Sequence, residues 1–161
     1  MRLAALSLLL LGLAGPAISG VAEARYSEPT TRYAHGVLGD AIEFGTLEIL
    51  TDAGKSLSMR LPETRVFEDL APRLVDVDVD GDKEVVVIES SNTQGARLAI
   101  YDENGLVAAT PYIGRSNRWL APLGAADLDG DGLIELAYID RPHLAKTLRI
   151  WRFENGALKH L

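Results

Sequence analysis

The sequence predicts an all-β protein of short antiparallel strands, grouped in repeated units that resemble the blades of a β-propeller. Three observations support this prediction. An acidic loop occurs twice, beginning at Asp76 and again at Asp127. An apolar run comes directly after each loop, and Gly- and Asn-containing turns separate the later runs. Helical periodicity is almost absent, so three or four short strands per unit, opened by an acidic loop, fit the pattern best.

The two acidic loops share one pattern over residues 76–84 and 127–135. Acids stand at positions one, three, five and nine of both loops, and Gly stands at position six. Carboxylates at alternate positions, with a Gly that lets the chain turn sharply, can surround a hard cation with oxygen. Four negative charges at close range are costly unless a divalent ion offsets them. The pattern therefore indicates calcium loops.

The chain just beyond these loops differs from that of an EF-hand. An EF-hand carries a bidentate Glu at position twelve, but position twelve is Val87 in the first loop and Tyr138 in the second. The runs Val85–Ile88 and Leu136–Ile139 are rich in β-branched and aromatic residues, which is typical of strands. We therefore expect each cation at the entrance to a sheet. The unbroken run Val85–Ile88 predicts a strand covered on both faces.

The repeat divides the chain into three units: residues 25–75, 76–126 and 127–161. A constant period aligns Leu47-Glu48-Ile49 with Leu98-Ala99-Ile100. The first unit lacks the acidic loop, because other residues take the four acid positions: Arg25, Ser27, Pro29 and Tyr33. The third unit is incomplete. A closed propeller needs about four to eight blades, which leaves three alternatives: an open stack of sheets, an assembly of several chains, or a fragment of a longer chain.

Residues 1–24 are predicted to be a secretory signal peptide. Arg2 precedes an apolar run from Leu3 to Leu13, and Ala22-Glu23-Ala24 supplies a small-x-small cleavage pattern. Cleavage after Ala24 predicts a secreted or periplasmic protein, with a retained N-terminal anchor as the alternative. No later stretch has the roughly 20 apolar residues that a membrane span requires.

Composition narrows the possible partners. The net charge is −7, which disfavours a nucleic-acid surface because such a surface requires a basic stripe. The chain contains no Cys, so disulfides cannot stabilise it outside the cell, and bound metal is a plausible substitute. Calcium is therefore the expected cofactor, and a protein or glycan is the further partner that we expect.

Few other residues suggest a site. The three histidines, His35, His143 and His160, lack the spacing of a zinc pair. The segment Arg115–Trp119 is basic and aromatic, and it is either a ligand contact or a connecting loop that buries Trp119. Tyr112, at the end of a strand predicted over 106–112, is expected in the core. Catalysis by the acids of the loops is disfavoured, because a duplicated loop suits a structural element better than one active site.

The spacing Asp-x-Asp-x-Asp-Gly-x-x-Glu, with an apolar strand directly after it, resembles the FG-GAP/VCBS repeat family. The second loop is the closer match, since the first has Val79 where the second has Gly130. The resemblance implies propeller blades whose hairpin loops hold calcium, as in integrin heads. It also implies a set of ligands, with the backbone carbonyls of Asp82 and Leu133 added to the side chains of Asp76, Asp78, Asp80, Glu84, Asp127, Asp129, Asp131 and Glu135.

These observations support two alternative functions. The first is an exported calcium-binding β-repeat module that has a structural or partner-binding role and no chemistry of its own. The second is a periplasmic enzyme, or part of one, that acts on a sugar or another small molecule at its loops. Turnover that depends on Trp119 would favour the enzyme.

Overall fold

The computed structural model describes residues 20–33 and 35–161. These residues form strands joined by turns and loops and contain no helix, so none of them provides an apolar helix that could cross a membrane. The strands are β1 (Val21–Thr30), β2 (Glu43–Thr51), β3 (Ser56–Arg60), β4 (Arg65–Phe67), β5 (Arg73–Val75), β6 (Glu84–Ser91), β7 (Gly95–Asp102), β8 (Gly105–Ala109), β9 (Leu120–Ala126), β10 (Glu135–Asp140), β11 (Thr147–Glu154) and β12 (Ala157–His160). The predicted all-β class is confirmed.

Every strand pairing is antiparallel, and the strands form two sheets. The larger sheet has the order β1-β2-β4-β6-β7-β8, with β3 also paired to β2 and β5 also paired to β6. The smaller sheet has the order β12-β11-β10-β9. Hairpin turns at Glu103-Asn104 and Asn155-Gly156 are two of the Gly- and Asn-containing turns that the sequence predicts between the later runs. The finer prediction of propeller-type blades stays a prediction.

The central strands β6 and β7 are covered on both faces. On β6, Val85 and Val87 pack in one cluster with Leu47 of β2, whereas Val86 and Ile88 pack in a second cluster with Leu136 of β10. All four of these β6 side chains are at most 3% exposed. The two-sided strand predicted from the apolar run is therefore confirmed. The β5–β8 part of the larger sheet lies between β1–β2 and the smaller sheet.

The first unit has a different register from the one that a constant period predicts. β1 pairs with β2 as β5 pairs with β6 and β9 with β10, so the loop that corresponds to the acidic loops is residues 31–42. Arg25 and Ser27 lie within β1, and Glu43, rather than Tyr33, opens the next strand. Leu47 therefore corresponds to Ile88 on β6, and its alignment with Leu98 is wrong. The period is not constant, because Glu43 precedes Glu84 by 41 residues whereas Glu84 precedes Glu135 by 51.

The strand predicted over 106–112 ends earlier, at Ala109. Pro111 has no backbone N–H to donate, so the ladder with β7 is interrupted there. Beyond Ala109, two separate backbone bonds reach β7, from Thr110 N to Leu98 O and from Ile113 N to Ala96 O, and the N–H of Leu98 donates to the Thr110 hydroxyl. Tyr112 lies half-buried beside this break, with the Arg97 guanidinium 4.7 Å from its ring centre, and not in the core as predicted.

The predicted signal peptide falls mostly on residues 1–19, which lie outside the described residues. Its last residues do not: β1 begins at Val21, which is 3% exposed in the core. Glu23 and Ala24 pair with Leu50 and Ile49 of β2. Cleavage after Ala24 stays a prediction, and such a cut would remove these pairs from the sheet.

Candidate metal centre

Each acidic loop connects two antiparallel neighbours within a sheet. The first loop joins β5 to β6, and the second joins β9 to β10. Glu84 and Glu135, at position nine, are the first residues of β6 and β10. The acids at position nine therefore begin strands that are largely buried, which fixes that end of each loop.

Backbone N–H groups of the first loop fold it around its own carboxylates. Asp76 accepts hydrogen bonds from the N–H groups of Asp80 and Gly81, at 3.2 and 3.1 Å. Glu84 Oε2 accepts one from the N–H of Val77, at 2.9 Å. The loop is thus closed at both ends by its own acids, and one backbone bond ties it to β1, from the N–H of Val21 to the carbonyl of Lys83 at 3.0 Å.

The second loop closes in the same way. Asp127 accepts hydrogen bonds from the N–H groups of Gly130 and Gly132, at 2.7 and 2.9 Å. Glu135 Oε2 accepts one from the N–H of Leu128, at 2.8 Å. In both loops the N–H at position six bonds to the acid at position one, and the N–H at position two bonds to the acid at position nine, so the repeated spacing produces a similar conformation.

Three acids converge in each loop. Ligand oxygens of Asp76, Asp78 and Glu84 lie within 4.8 Å of one another, as do those of Asp127, Asp129 and Glu135. Such a set fits a hard cation, because calcium takes six to eight oxygen ligands at about 2.3–2.6 Å. The position-five acids, Asp80 and Asp131, do not join these groups. The carbonyls of Asp82 and Leu133 stay predicted ligands.

Burial, together with repulsion between neighbouring acids, raises the pKa values of two carboxyl groups in the first loop. Burial is the main cause that raises the pKa of Glu84 to about 7, and repulsion from Asp78, Asp80 and Asp76 adds to it. The pKa of Asp78 is also raised, first by burial and then by Asp80. A divalent cation between these groups would favour their charged forms. In the second loop the N–H groups of Gly132 and Gly130 lower the pKa of Asp127.

A basic side chain distinguishes the two loops, and sequence reasoning did not identify it. Arg152 on β11 faces Glu135 in the β10–β11 register. Its guanidinium forms ion pairs with Glu135 at 2.6 Å, Asp129 at 2.6 Å and Asp131 at 2.8 Å. No Arg, Lys or His of the described chain forms an ion pair with the acids of the first loop. A count of strand positions after the second loop would have placed Arg152 opposite Glu135.

In the segment Arg115–Trp119, the side chain of Trp119 packs against a nearby residue. Trp119 Nε1 donates to His143 Nδ1 at 2.9 Å, and the two rings are stacked with an interplanar angle of 7°. Trp119 is half-buried rather than covered by a neighbouring sheet. Its partner His143 is exposed and lies in a turn.

Sequence reasoning also missed two groups of buried acids. Glu89 is fully buried and bonds to Arg65, Arg97 and Tyr101. Glu68 bonds to His35 and Ser90 beside a second buried acid, Glu43. In a sequence, such a group is indicated only by a charged residue inside an apolar strand. Glu89 in β6 is such a residue.

The comparisons with known proteins agree with the geometry of the loops. Residues 76–138 match the family model of the FG-GAP-like repeat, and this match spans both acidic loops and the strands between them. No curated protein and no solved structure matches the chain.

Proposed function

We propose, from the match of residues 76–138 to the FG-GAP-like repeat, that the protein is an exported module whose two acidic loops bind calcium. The metal has a structural role in this proposal: it ties the start of β6 to β5 and the start of β10 to β9. The units themselves are proposed to be propeller-type blades. The module presents its sheets and loops to a protein or glycan partner.

One observation supports calcium above all others. Three carboxylates converge in the first loop without a basic partner among the described residues, and the same three positions converge in the second. An uncompensated cluster of acids is costly, and a divalent ion in millimolar supply relieves that cost. Extracellular calcium modules bind with dissociation constants of about 10⁻⁴ to 10⁻³ M, which suits an exported chain.

The proposed ligands are those of the sequence pattern. Asp76, Asp78 and Glu84 would hold the ion in the first loop, and Asp127, Asp129 and Glu135 would hold it in the second. Asp80, Asp131 and the carbonyls of Asp82 and Leu133 would complete the two sets. When bound, the ion supplies cross-links between strands and no reaction chemistry.

The burial of the strands that follow the two loops also favours a structural role for the metal. Beyond Glu84, β6 enters the core with Val85 and Val87 fully buried, and beyond Glu135, β10 enters it with Leu136 at 1% exposed. An ion at either loop would therefore hold the first residue of a central strand in place. The enzyme alternative gains no comparable support, since Trp119 of the segment proposed for it packs on His143.

The test is calcium titration of the purified protein by isothermal calorimetry, joined to thermal unfolding with calcium and with chelator. At about 1 mM calcium and a dissociation constant of about 10⁻⁴ M, each occupied site adds about 1.4 kcal/mol to the free energy of unfolding. The melting temperature should then rise by several degrees. Magnesium at the same concentration serves as the control. Absence of calcium heat, with a melting temperature that chelator leaves unchanged, would rule the proposal out.

A further inference from the structure

The second acidic loop already has an internal cation. The Arg152 guanidinium lies against three of its four acids, with its Nε, Nη1 and Nη2 each paired to a different carboxylate. The Arg152 side chain is only 17% exposed, so these pairs are partly shielded from solvent. A planar guanidinium with several donors suits this arrangement, because it can bind several carboxylate oxygens at once.

The remaining oxygens of the second loop are used by its backbone. Every carboxylate oxygen of the four acids has one partner: Arg152 holds one oxygen each of Asp129, Asp131 and Glu135, and loop N–H groups bond to the other five. The second loop is thus internally satisfied. A cation that enters it must compete with a positive charge already in contact with three of its ligands.

The first loop has an acid at the corresponding strand position. Arg152 stands one residue beyond the paired Leu136 and Trp151, and Asp102 stands one residue beyond the paired Val85 and Tyr101. Asp102 caps its own turn, accepting hydrogen bonds from the N–H groups of Asn104 and Gly105. The same place in the two units therefore carries opposite charge.

We propose that Arg152 is a built-in counter-ion that makes the second loop stable without metal and weakens its affinity for calcium, whereas the first loop depends on the ion. This inference rests on the proposed calcium binding. Its physical basis is charge: a guanidinium among the ligands repels a divalent cation, and displacing it breaks three ion pairs. The two loops, alike in sequence pattern, are then unequal sites.

The experiment isolates the second loop. Asp76→Asn and Asp78→Asn together disable the first loop and provide the background protein. Calcium affinity is then measured by calorimetry for this background protein, for the same protein with Arg152→Gln, and for the control with Arg149→Gln. Arg149 lies on the same strand and pairs with Asp140, away from the loop. We expect Arg152→Gln to tighten calcium binding about tenfold, and Arg149→Gln to change it less than twofold. Without calcium, Arg152→Gln should lower the melting temperature, and added calcium should restore it.

A reciprocal variant keeps the inference testable should Arg152→Gln fail to fold. Asp102→Arg, made in the otherwise unchanged chain, places a positive charge beside the first loop and should weaken its calcium affinity about tenfold. Asp102→Asn is its control, because Asn retains an acceptor for the turn and removes only the negative charge.

The outcomes separate the two claims. If the unchanged chain binds calcium but Arg152→Gln leaves the affinity of the second loop unchanged or weakens it, Arg152 is a supporting residue of a bound site and the inference is wrong, while the proposed function stands. If no variant binds calcium at either loop, both claims are wrong.

Discussion

Val79 adopts the backbone conformation that Gly130 adopts at the same position of the other acidic loop. The φ angle is 63° at Val79 and 82° at Gly130. A β-branched side chain is strongly disfavoured in this left-handed region, whereas Gly enters it freely. The first loop therefore keeps the shape of the second at a cost in backbone strain, because both closing bonds, to Asp76 and to Glu84, require that shape.

Val79→Gly should stabilise the protein, because it removes this strain. The left-handed conformation costs a non-Gly residue about 1–2 kcal/mol, part of which is returned by the greater freedom of Gly in the unfolded chain. We expect a net gain of about 1 kcal/mol in urea unfolding. Gly130→Val is the matched reverse change and should destabilise by at least as much. A Val79→Gly protein that is less stable than the parent would contradict this account.

The rise in melting temperature caused by calcium should be reduced more by Asp78→Asn than by Asp82→Asn. Asp78→Asn removes a converging carboxylate, so the rise in melting temperature on adding calcium should shrink. Without calcium the same variant should melt higher than the parent, since burial and Asp80 raise the pKa of Asp78 and so disfavour its charge. Asp82→Asn is the control: its predicted contribution is a backbone carbonyl, which the change retains. Equal losses in both variants would argue against side-chain ligation by Asp78.

Stability without metal should fall as pH rises from about 5 to 8.5, and Glu43 should account for part of that fall. Burial, with repulsion from Glu68 and Asp40, raises the pKa of Glu43 from 4.5 to about 8. The folded chain thus holds this proton up to about pH 8, whereas the unfolded chain releases it near 4.5. The stabilisation is complete below pH 4.5 and is lost as pH rises through 8. Each pKa unit corresponds to about 1.4 kcal/mol.

The measurement is urea unfolding in chelator across this pH range, for the parent and for Glu43→Gln. Glu43→Gln should flatten the slope. The acid Glu63, whose side chain is 77% exposed, provides the control when changed to Gln and should leave the slope as it is. Glu84 should contribute a further slope between about pH 4.5 and 7 that calcium abolishes. Stability that rises with pH in the parent protein would be the contrary result.

Glu89→Gln should be strongly destabilising, because it leaves two arginines facing a neutral amide in the core. Glu89 is fully buried, with Arg65 and Arg97 both at 2.9 Å and Tyr101 at 2.6 Å. Removing one partner of a buried ion pair costs about 3–5 kcal/mol. Glu48→Gln breaks the solvent-exposed pair with Arg25 and should have a much smaller effect. Similar losses in the two variants, measured by urea unfolding, would show that burial does not set the energy of the Glu89 network.

Local pattern predicted much of the fold and of the candidate site. The apolar run Val85–Ile88 alone indicated a strand covered on both faces, because only two-sided burial tolerates so many adjacent apolar residues. The spacing of the acids indicated two candidate metal-binding loops, because the position of a residue along a short loop determines which side chains converge. The register of the first unit was not predictable in this way: its loop is longer, and only the pairing of β1 with β2 identifies Glu43 as the counterpart of Glu84 and Glu135.

Sequence by itself determined the strands, the turns and the position of two acid clusters, because hydrophobic periodicity and turn chemistry act over a few residues. Tertiary structure alone decided what surrounds each cluster. Arg152 is 17 residues beyond Glu135 in the chain, and it reaches the second loop only because antiparallel pairing sets β11 beside β10. The electrostatic environment of a site depends on distance in space. Two loops with the same sequence pattern therefore have neighbouring side chains of opposite charge, Arg152 beside the second and Asp102 beside the first.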